Sequence, residues 1–256
     1  MMPGHTWYYE DSGPRAGVFN MERDEALAHA LQAQADGAAQ VLRLYGWVPP
    51  AISLGHHQDA STIDAEALRR DGFDLVRRPT GGRAILHHEE LTYCVVMFAG
   101  RRSILQVYNA ISEALVKGLA LYGVEVSLQK SQPDFQTAYR DQSSIPCFTS
   151  SARYEIEWGG RKMVGSAQRR YADGERDVVL QHGSILCGPA HRRLSAYLRI
   201  GNDAVRERIE REMREKTVDL AEITGASVDM PRLKACIKSG FEESWAVQFR
   251  YLNSDI

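Results

Sequence analysis

Apolar residues recur every three or four positions near the start of the chain, as they do on the buried face of a helix. This spacing predicts a helix over residues 21–36, which Asn20 caps and Gly37 ends. The residues expected on its buried face are Met21, Leu27, Ala30 and Leu31. A shorter helix is predicted over residues 64–70.

A longer helix is predicted over residues 104–122 by the same spacing. Ser103 and Gln106 stand three positions apart at its start, as in a capping box. Its buried face is expected to carry Ile104, Tyr108, Ile111, Leu115 and Leu119. The last quarter of the chain is predicted to be helical over residues 190–198, 203–213 and 231–245.

Apolar and polar residues alternate in the middle of the chain, which is typical of strands that bury one face. Strands are predicted over residues 41–47, 51–54, 73–77, 154–158, 161–170 and 178–186, and around a glycine turn within 77–98. The first two, separated by Pro49-Pro50, are expected to pair as a hairpin, and Gly159-Gly160 is expected to turn another. Helices before, between and after the strands predict an α+β fold, with a mixed sheet flanked by helices in one domain over residues 1–256.

Charge and composition narrow the class of protein. The 31 basic and 33 acidic residues give a formal net charge of -2, which argues against a protein that coats nucleic acid. No apolar stretch approaches the roughly 18 residues of a membrane-spanning helix, and the first residues lack the apolar core of an export signal. We therefore expect a cytoplasmic monomer that binds neither nucleic acid nor a membrane.

The cysteines and histidines do not form a metal-binding pattern. The four cysteines lie far apart without a C-x-x-C pair, and the histidines show no H-E-x-x-H spacing. Adjacent residues of a strand point to opposite faces, so His87 and His88 are poorly placed to bind one ion together. No metal site is expected, and these histidines are expected to line a polar pocket.

A turn with two glycines and three arginines is the first candidate for ligand binding. In the segment RRPTGGR, Gly81 and Gly82 let backbone N–H groups approach a ligand closely, while Arg77, Arg78 and Arg83 supply positive charge. Such a turn suits a carboxylate, a phosphate or a pantetheine group. The alternative is a hairpin turn whose arginines are solvated.

A lysine inside a predicted strand and a cysteine in a polar loop are further candidates. Lys162 is followed by small residues, from Gly165 to Ala167, that leave room beside the backbone for a slim ligand. An ammonium group a few ångströms from Cys147 would lower the pKa of its thiol and make it nucleophilic at neutral pH. The alternatives are an edge-strand lysine that reaches water and a cysteine that only packs.

These segments occur together in an order that resembles the lipoate-protein ligase A and octanoyltransferase family. The matching stretches are FNMERDEAL, LRLYGWVPPAISLGHHQ, RRPTGGRAILHHEELTYCVV, PCFTSSARYEI, GRKMVGSAQRR and LQHGSIL. The resemblance implies the catalytic-domain fold of biotin and lipoate ligases, with its core over residues 35–248. Within the family, the chain is most similar to the single-domain, cysteine-dependent octanoyltransferases.

The resemblance also implies roles for individual residues. Cys147 would be the nucleophile that carries the acyl group as a thioester, and Lys162 would lower its pKa and hold the acyl carbonyl. The turn over residues 77–83 would close over the acyl group. The residues expected to bind substrate are Arg77, Arg78, Gly81, Gly82, Arg83, His87, Gly165, Ser166, Ala167, Gln168, His182 and Gly183.

The activity so implied is transfer of an octanoyl group from acyl carrier protein to a lysine of the glycine cleavage system H protein or another lipoyl domain. Because an octanoyl thioester is already activated, no cofactor is expected. Three alternatives stay open. They are an ATP-dependent lipoate ligase that would use ATP and Mg²⁺, an amidotransferase that moves the acyl group between lipoyl domains, and a non-catalytic module that binds carrier proteins.

Overall fold

An eight-stranded sheet is the centre of the computed structural model, which describes residues 6–33, 39–129, 155–172 and 177–252. Its strands are β1 (Trp7–Arg15), β2 (Gln40–Trp47), β6 (Glu90–Phe98), β7 (Ser127–Gln129), β8 (Glu155–Trp158), β9 (Arg161–Ala172), β10 (Asp177–Leu186) and β11 (Phe249–Tyr251). They lie in the order β11-β1-β2-β6-β10-β9-β8-β7. Strand β1 runs parallel to both neighbours and the other pairs are antiparallel, which confirms the predicted mixed sheet.

A second, smaller sheet contains β3 (Ala51–Leu54), β4 (Asp74–Arg77) and β5 (Ile85–His87), in the order β4-β3-β5. The predicted hairpin between residues 41–47 and 51–54 is therefore wrong, because these two strands belong to different sheets. Pro49-Pro50 separates them, and proline has no N–H group with which to continue a strand ladder.

Helix α1 covers Gly17–Ala33 and starts four residues before the predicted position. Asn20 is not its cap but a buried residue inside it, which is a correction to the sequence prediction. Its side-chain amide donates to the carbonyl of Gly46 at 2.9 Å, and its Oδ1 accepts a hydrogen bond from Arg43 at 2.7 Å. The predicted stop at Gly37 lies outside the described residues.

Helices α2 (Ala65–Arg70) and α3 (Ile104–Tyr122) confirm the predicted elements, and the capping box at Ser103 is formed. The predicted buried faces are wrong at two positions. Ala30 is exposed on α1, and Ile104 is 60% exposed because it lies in the first turn of α3, at the edge of the packed layer.

Helix α3 packs against α6 (Met230–Trp245), and the two cover one face of the large sheet. Glycines let their backbones approach closely. A Cβ on Gly240 would lie 2.4 Å from the nitrogen of Gly118, so a side chain there would collide with the neighbouring helix.

Helix α1 and the small sheet cover the other face of the large sheet. Successive side chains of a strand point to opposite faces, so Tyr93 packs under α3 and α6 while Cys94 packs under α1. On the α1 face the central strands also carry polar residues, namely Arg43, Glu90, Thr92, His182 and Ser184. His182, which the sequence predicts to bind substrate, lies on this face.

The last quarter of the chain forms a 3₁₀ helix (Pro189–Tyr197), α4 (Asp203–Lys216) and α5 (Leu220–Thr224) before α6. These elements confirm the predicted helical region, and the first two pack on the small sheet. The sequence pattern does not predict β1 and β11, whose residues show no clear alternation. Within the described part of the chain, no helix combines the length and apolarity required to cross a membrane.

Candidate active site

A cavity of about 340 Å³ lies between the α1 face of the large sheet and the small sheet, and we call it the main cavity. It is lined by seven residues that the sequence assigns to substrate binding: Arg78, His87, Gly165, Ser166, Ala167, His182 and Gly183. Its other lining residues are Met21, Tyr45, Trp47, Ser53, Ile85, Thr92 and Ser184.

Small residues shape the wall of the main cavity where β9 and β10 pair. Gly183 lies opposite Ser166 in this pairing. A Cβ on Gly183 would lie 2.3 Å from the carbonyl oxygen of Gly165 and 2.8 Å from the ring of Tyr93, on the face of the sheet turned away from the cavity, so no side chain fits there. Gly165 and Ala167 stand opposite Ser184 and His182 on the cavity face, where they leave space beside the backbone, as the sequence predicts for this segment.

Arg78 is buried and binds the turn that follows it. Its Nε and Nη2 donate to the carbonyl of Gly81, and Nη2 also donates to the carbonyl of Arg83 at 2.7 Å. Its Nη1 donates to the backbone carbonyl and the hydroxyl of Ser53. These contacts use all five N–H donors of a guanidinium group, so Arg78 holds the shape of the turn.

Arg77 likewise binds backbone, because its Nη1 donates to the carbonyls of Gly55, His56 and Gln58. Gly82 has a φ of 96° and its carbonyl lies against Gly55, where a Cβ would come within 2.0 Å of that oxygen. Five of the predicted binding residues are not on the wall of the main cavity: Arg77, Gly81, Gly82, Arg83 and Gln168. Of the residues in this turn, Arg78 is the one that lines the main cavity.

A chain of buried groups joins α1 to this turn across β10, and we call it the aspartate chain. Asp24 Oδ2 lies 2.9 Å from Nδ1 of His182, and Nε2 of the same ring lies 2.7 Å from the hydroxyl of Thr80. Since Nδ1 faces a carboxylate, it carries the proton of the neutral ring, and Nε2 accepts the hydroxyl proton.

Charge is balanced within the aspartate chain. Arg43 donates to Asp24 at 2.7 Å and Tyr45 donates at 2.8 Å. Burial opposes ionisation of Asp24, but Arg43 and His182 outweigh it and hold the pKa of this carboxyl below its ordinary value. Burial lowers the pKa of His182, against the attraction of Asp24, so the imidazole is neutral at pH 7.

A second chain of the same composition lies across the main cavity, and we call it the glutamate chain. Nε2 of His87 lies 2.7 Å from the hydroxyl of Ser53, and Nδ1 lies 2.9 Å from Oε1 of Glu90. The same Oε1 accepts the hydroxyls of Thr92 and Ser184 at 2.6 and 2.8 Å. This network fixes the orientation of His87 in the cavity wall.

Trp47 supports the glutamate chain from the side. Its ring stacks on that of His87 with the centroids 3.9 Å apart, and its indole N–H donates to the Thr92 hydroxyl at 2.7 Å. Among the described residues, no three His, Cys, Asp or Glu side chains come together as metal ligands.

Lys162 lies at the start of β9 and is 5% exposed. Its carbonyl accepts the N–H of Val218, and its backbone bridges to Thr217, so the segment after α4 pairs with β9 at this point. Lys162 is not among the residues that line the main cavity. The predicted nucleophile Cys147 lies outside the described residues.

Two other cysteines are structural. Burial raises the pKa of Cys187 to about 12 and that of Cys94 well above its ordinary value. Both thiols stay protonated at neutral pH and are poor nucleophiles.

Sequence reasoning gives no role to Asp24, Thr80, Ser53 or Glu90, although they hold the two histidines of the main cavity. One signal for Asp24 is present, because a carboxylate stands on the apolar stripe of α1 between Met21 and the buried leucines. A charged residue on such a stripe needs a buried partner. The sequence does not reveal that this partner set includes His182, since the contact depends on strand register.

The chain matches a family model described as the lipoyl protein ligase A/B catalytic domain over residues 17–242. Octanoyltransferase LipM of Kyrpidia tusciae is 40% identical over 246 residues, which are 93% of this chain and 87% of that protein. Octanoyltransferase LipM of Bacillus subtilis is 34% identical over 248 residues, which are 94% of this chain and 87% of that protein.

Solved structures share the fold at low sequence identity. A bipartite lipoate protein ligase from Thermoplasma acidophilum, studied with its E2 lipoyl domain, superposes with a TM-score of 0.71 at 19% identity, over 99% of this chain and 89% of that one. A lipoate-protein ligase A bound with ATP superposes with a TM-score of 0.70 at 19% identity, over 98% and 90% of the two chains.

Proposed function

The chain belongs to the lipoyl protein ligase A/B catalytic domain family and is an octanoyltransferase of lipoate biosynthesis, for which we propose a cysteine-dependent route. In this route the octanoyl group passes from acyl carrier protein to Cys147 and then to a lysine of a lipoyl domain. The relatives named octanoyltransferase LipM support the reaction class.

The charge of the main cavity is the observation that favours a transferase over a ligase. Histidines apart, Arg78 is the one charged side chain among the described residues that line it, and its N–H donors are taken by the turn and by Ser53. A ligase must hold the phosphate of an acyl-adenylate, whereas an acyl thioester carries no charge at its reacting end. This wall suits the uncharged thioester.

The chemistry then needs no cofactor. The Cys147 thiolate attacks the thioester carbonyl, a new C–S bond forms, and the carrier thiolate leaves. The neutral amine of the acceptor lysine next attacks the enzyme thioester. An amide C–N bond forms, the C–S bond breaks with departure of the Cys147 thiolate, and the nitrogen releases one proton to solvent. Lys162 would favour the thiolate by its charge and hold the acyl oxygen during both attacks.

The main cavity would hold the octanoyl chain between Met21, Ile85 and Ala167. Burial of each methylene contributes about 0.8 kcal/mol to binding. The glutamate and aspartate chains would keep the cavity rigid, and the hydroxyls of Ser53 and Thr80 occupy the imidazole lone pairs of His87 and His182, which then do not bind water next to the thioester.

Acyl carrier protein is the proposed donor and the glycine cleavage system H protein the proposed acceptor. The lipoyl domain studied with the Thermoplasma acidophilum ligase supports lipoyl domains as the acceptor class. The residue roles of Cys147 and Lys162 rest on the match of their motifs to the family.

Intact-protein mass spectrometry tests the route. The protein is mixed with octanoyl-acyl carrier protein in the absence of ATP, with Cys147→Ala and the partly buried Cys236→Ala as matched variants. We expect one octanoyl adduct on the wild type and on Cys236→Ala, none on Cys147→Ala, and discharge of the adduct by apo H protein. Formation of AMP from ATP and free octanoate, with no adduct, would instead show a ligase.

A further inference from the structure

A β-bulge near the start of β9 decides which way Lys162 faces. Ile156 of β8 pairs with Val164. The next residue of β8, Glu157, pairs with Lys162, so Met163 has no partner of its own on β8. Met163 and Val164 both lie in the apolar layer under α3 and α6. Because two successive residues face that layer, Lys162 faces the other side of the sheet, which carries the main cavity.

Lys162, Gly165 and Ala167 therefore follow one another along the same face of β9. Gly165 and Ala167 line the main cavity, opposite Ser184 and His182 of β10. An acyl group whose oxygen is held by Lys162 would enter past Gly165 and end near Ala167. These last two positions lie about 7 Å apart, since a strand rises by about 3.4 Å per residue.

The turn over residues 77–83 covers the Ala167 end of the main cavity. Arg169, two residues after Ala167, donates from Nη1 to the carbonyl of Pro79 at 3.1 Å. The hydroxyl of Thr80 lies 2.7 Å from Nε2 of His182, which pairs with Ala167. Pro79 and Thr80 are both buried. The turn thus crosses both strands beside Ala167.

Apolar packing covers the same end from the side of β10. Leu180, two residues before His182, is fully buried in a cluster that joins β10 to α1. Met21 of α1 belongs to this cluster and also lines the main cavity. A side chain larger than that of Ala167 would therefore extend into the cavity itself.

We propose that Ala167 sets the length of the acyl chain that the main cavity accepts. This assignment rests on the proposed function, since it takes the acyl oxygen to be held at Lys162. The methyl group of Ala167 would contact the last carbons of an octanoyl chain. A larger residue would displace those carbons from the cavity, whereas glycine would admit one carbon more.

Acyl-enzyme formation with donors of different length tests the assignment. Mass spectrometry follows the initial rate of adduct formation with subsaturating butyryl-, hexanoyl-, octanoyl- or nonanoyl-acyl carrier protein. Ala167→Leu adds three carbons, so we expect it to slow the octanoyl reaction about fiftyfold, at about fourfold per excluded methylene. The butyryl reaction should stay within about twofold of the wild-type rate. Equal slowing with all four donors would overturn the proposal.

Ala167→Gly makes the opposite change and decides the matter if Ala167→Leu does not fold. We expect the ratio of the nonanoyl rate to the octanoyl rate to rise about fourfold, because one more methylene is buried. An unchanged ratio would contradict the proposal. The matched control is Ala172→Leu, the same substitution at an exposed position of the same strand, which should keep the wild-type preference among donors.

Gly165→Ala distinguishes the end of the cavity from the part that every chain passes. Because Gly165 lies between Lys162 and Ala167 on the cavity face, an added methyl group there should slow all four donors by the same factor. A loss confined to the longer donors would place the methyl end of the chain at Gly165 and contradict the assignment of Ala167.

Binding without transfer keeps this assignment separate from the proposed route. S-butyryl- and S-octanoyl-pantetheine are titrated by calorimetry into Cys147→Ala, with and without the Ala167→Leu substitution. We expect Ala167→Leu to weaken binding of the octanoyl compound about fiftyfold and to leave that of the butyryl compound unchanged. Equal weakening of both would contradict the proposal. If this pattern is found but the wild type forms no adduct, the route through Cys147 fails and the assignment of Ala167 stands.

Discussion

The aspartate chain and the glutamate chain have the same parts in the same order but balance their charge differently. Asp24 is held by the buried guanidinium of Arg43, whereas the described residues bring no lysine or arginine to Glu90. Every oxygen of Asp24 has a donor, while Oε2 of Glu90 has none from the described residues. The first chain balances a buried charge with a buried charge, whereas the second leaves one carboxylate oxygen without a donor among the described residues.

Replacement of each carboxylate by alanine should give the largest difference in stability between the two chains. Asp24→Ala leaves Arg43 buried without its closest charged partner and should lower the free energy of unfolding at pH 7 by about 3–5 kcal/mol. Glu90→Ala leaves uncharged donors unpaired and should lower it by about 1–3 kcal/mol. Urea denaturation measures both. Equal losses would mean that Glu10, which also binds Arg43, suffices to balance its charge.

Acidification probes the imidazole of the aspartate chain. Because the pKa of His182 is lowered on folding, the unfolded chain takes up a proton first as pH falls below about 6.5. The neutral His182 ring makes its full contribution to the free energy of unfolding above that pH. Below it, the contribution falls by roughly 1.4 kcal/mol per pH unit until the folded ring is protonated.

Urea midpoints at pH 7, 6 and 5 measure this slope, which His182→Gln should flatten. His191 is a matched case without a carboxylate, since burial lowers its pKa to about 4 and its partners are Gly188 and Thr217. His191→Gln should flatten the same slope by a similar amount. A His182→Gln slope equal to that of the wild type would show that the ring is charged in the folded protein.

Removal of the hydroxyl at the end of each chain, that of Thr80 or of Ser53, should have the smallest effect on the free energy of unfolding. Thr80→Val keeps the shape of the side chain and leaves Nε2 of His182 unpaired, so we expect a loss of about 1 kcal/mol. Ser53→Ala removes a partner of both His87 and Arg78 and should destabilise somewhat more.

Thermal unfolding should therefore shift by roughly 2–4 °C for Thr80→Val, given the size of the domain. Thr224→Val removes a hydroxyl that binds the carbonyl of Leu220 far from the main cavity, and it serves as the control. A larger shift for Thr80→Val than for Ser53→Ala would show that the contact of Ser53 with Arg78 adds nothing to stability.

Local patterns predict those elements whose signals lie within a few residues of each other. The capping box at Ser103 and the turn at Gly159-Gly160 are of this kind, and both are present. Asn20 shows the limit, because a residue type that favours helix caps is used here to bind Arg43 inside a helix. Strands β1 and β11 escape prediction because β1 pairs with β11 from the opposite end of the chain.

The candidate site likewise has residues that local motifs predict and residues that they do not. Its glycines and histidines can be found from motifs, since the residues around Gly165, His87 and His182 match a family pattern. The partners that hold them cannot, because Asp24 and His182 stand 158 residues apart and meet through packing of α1 on β10. Charge balance in a buried network depends on such long-range contacts, and the one local signal, a carboxylate on the apolar stripe of α1, does not identify its partners.

The pairing of Val218 with Lys162 matters for anyone who redesigns this protein. The helices of the last quarter are joined to the central sheet at the residue to which the motif assigns the acyl oxygen. A shortened version that ends after the 3₁₀ helix would free one side of β9 at that point. Swaps between relatives are therefore best made with β9 and the segment after α4 exchanged as one unit.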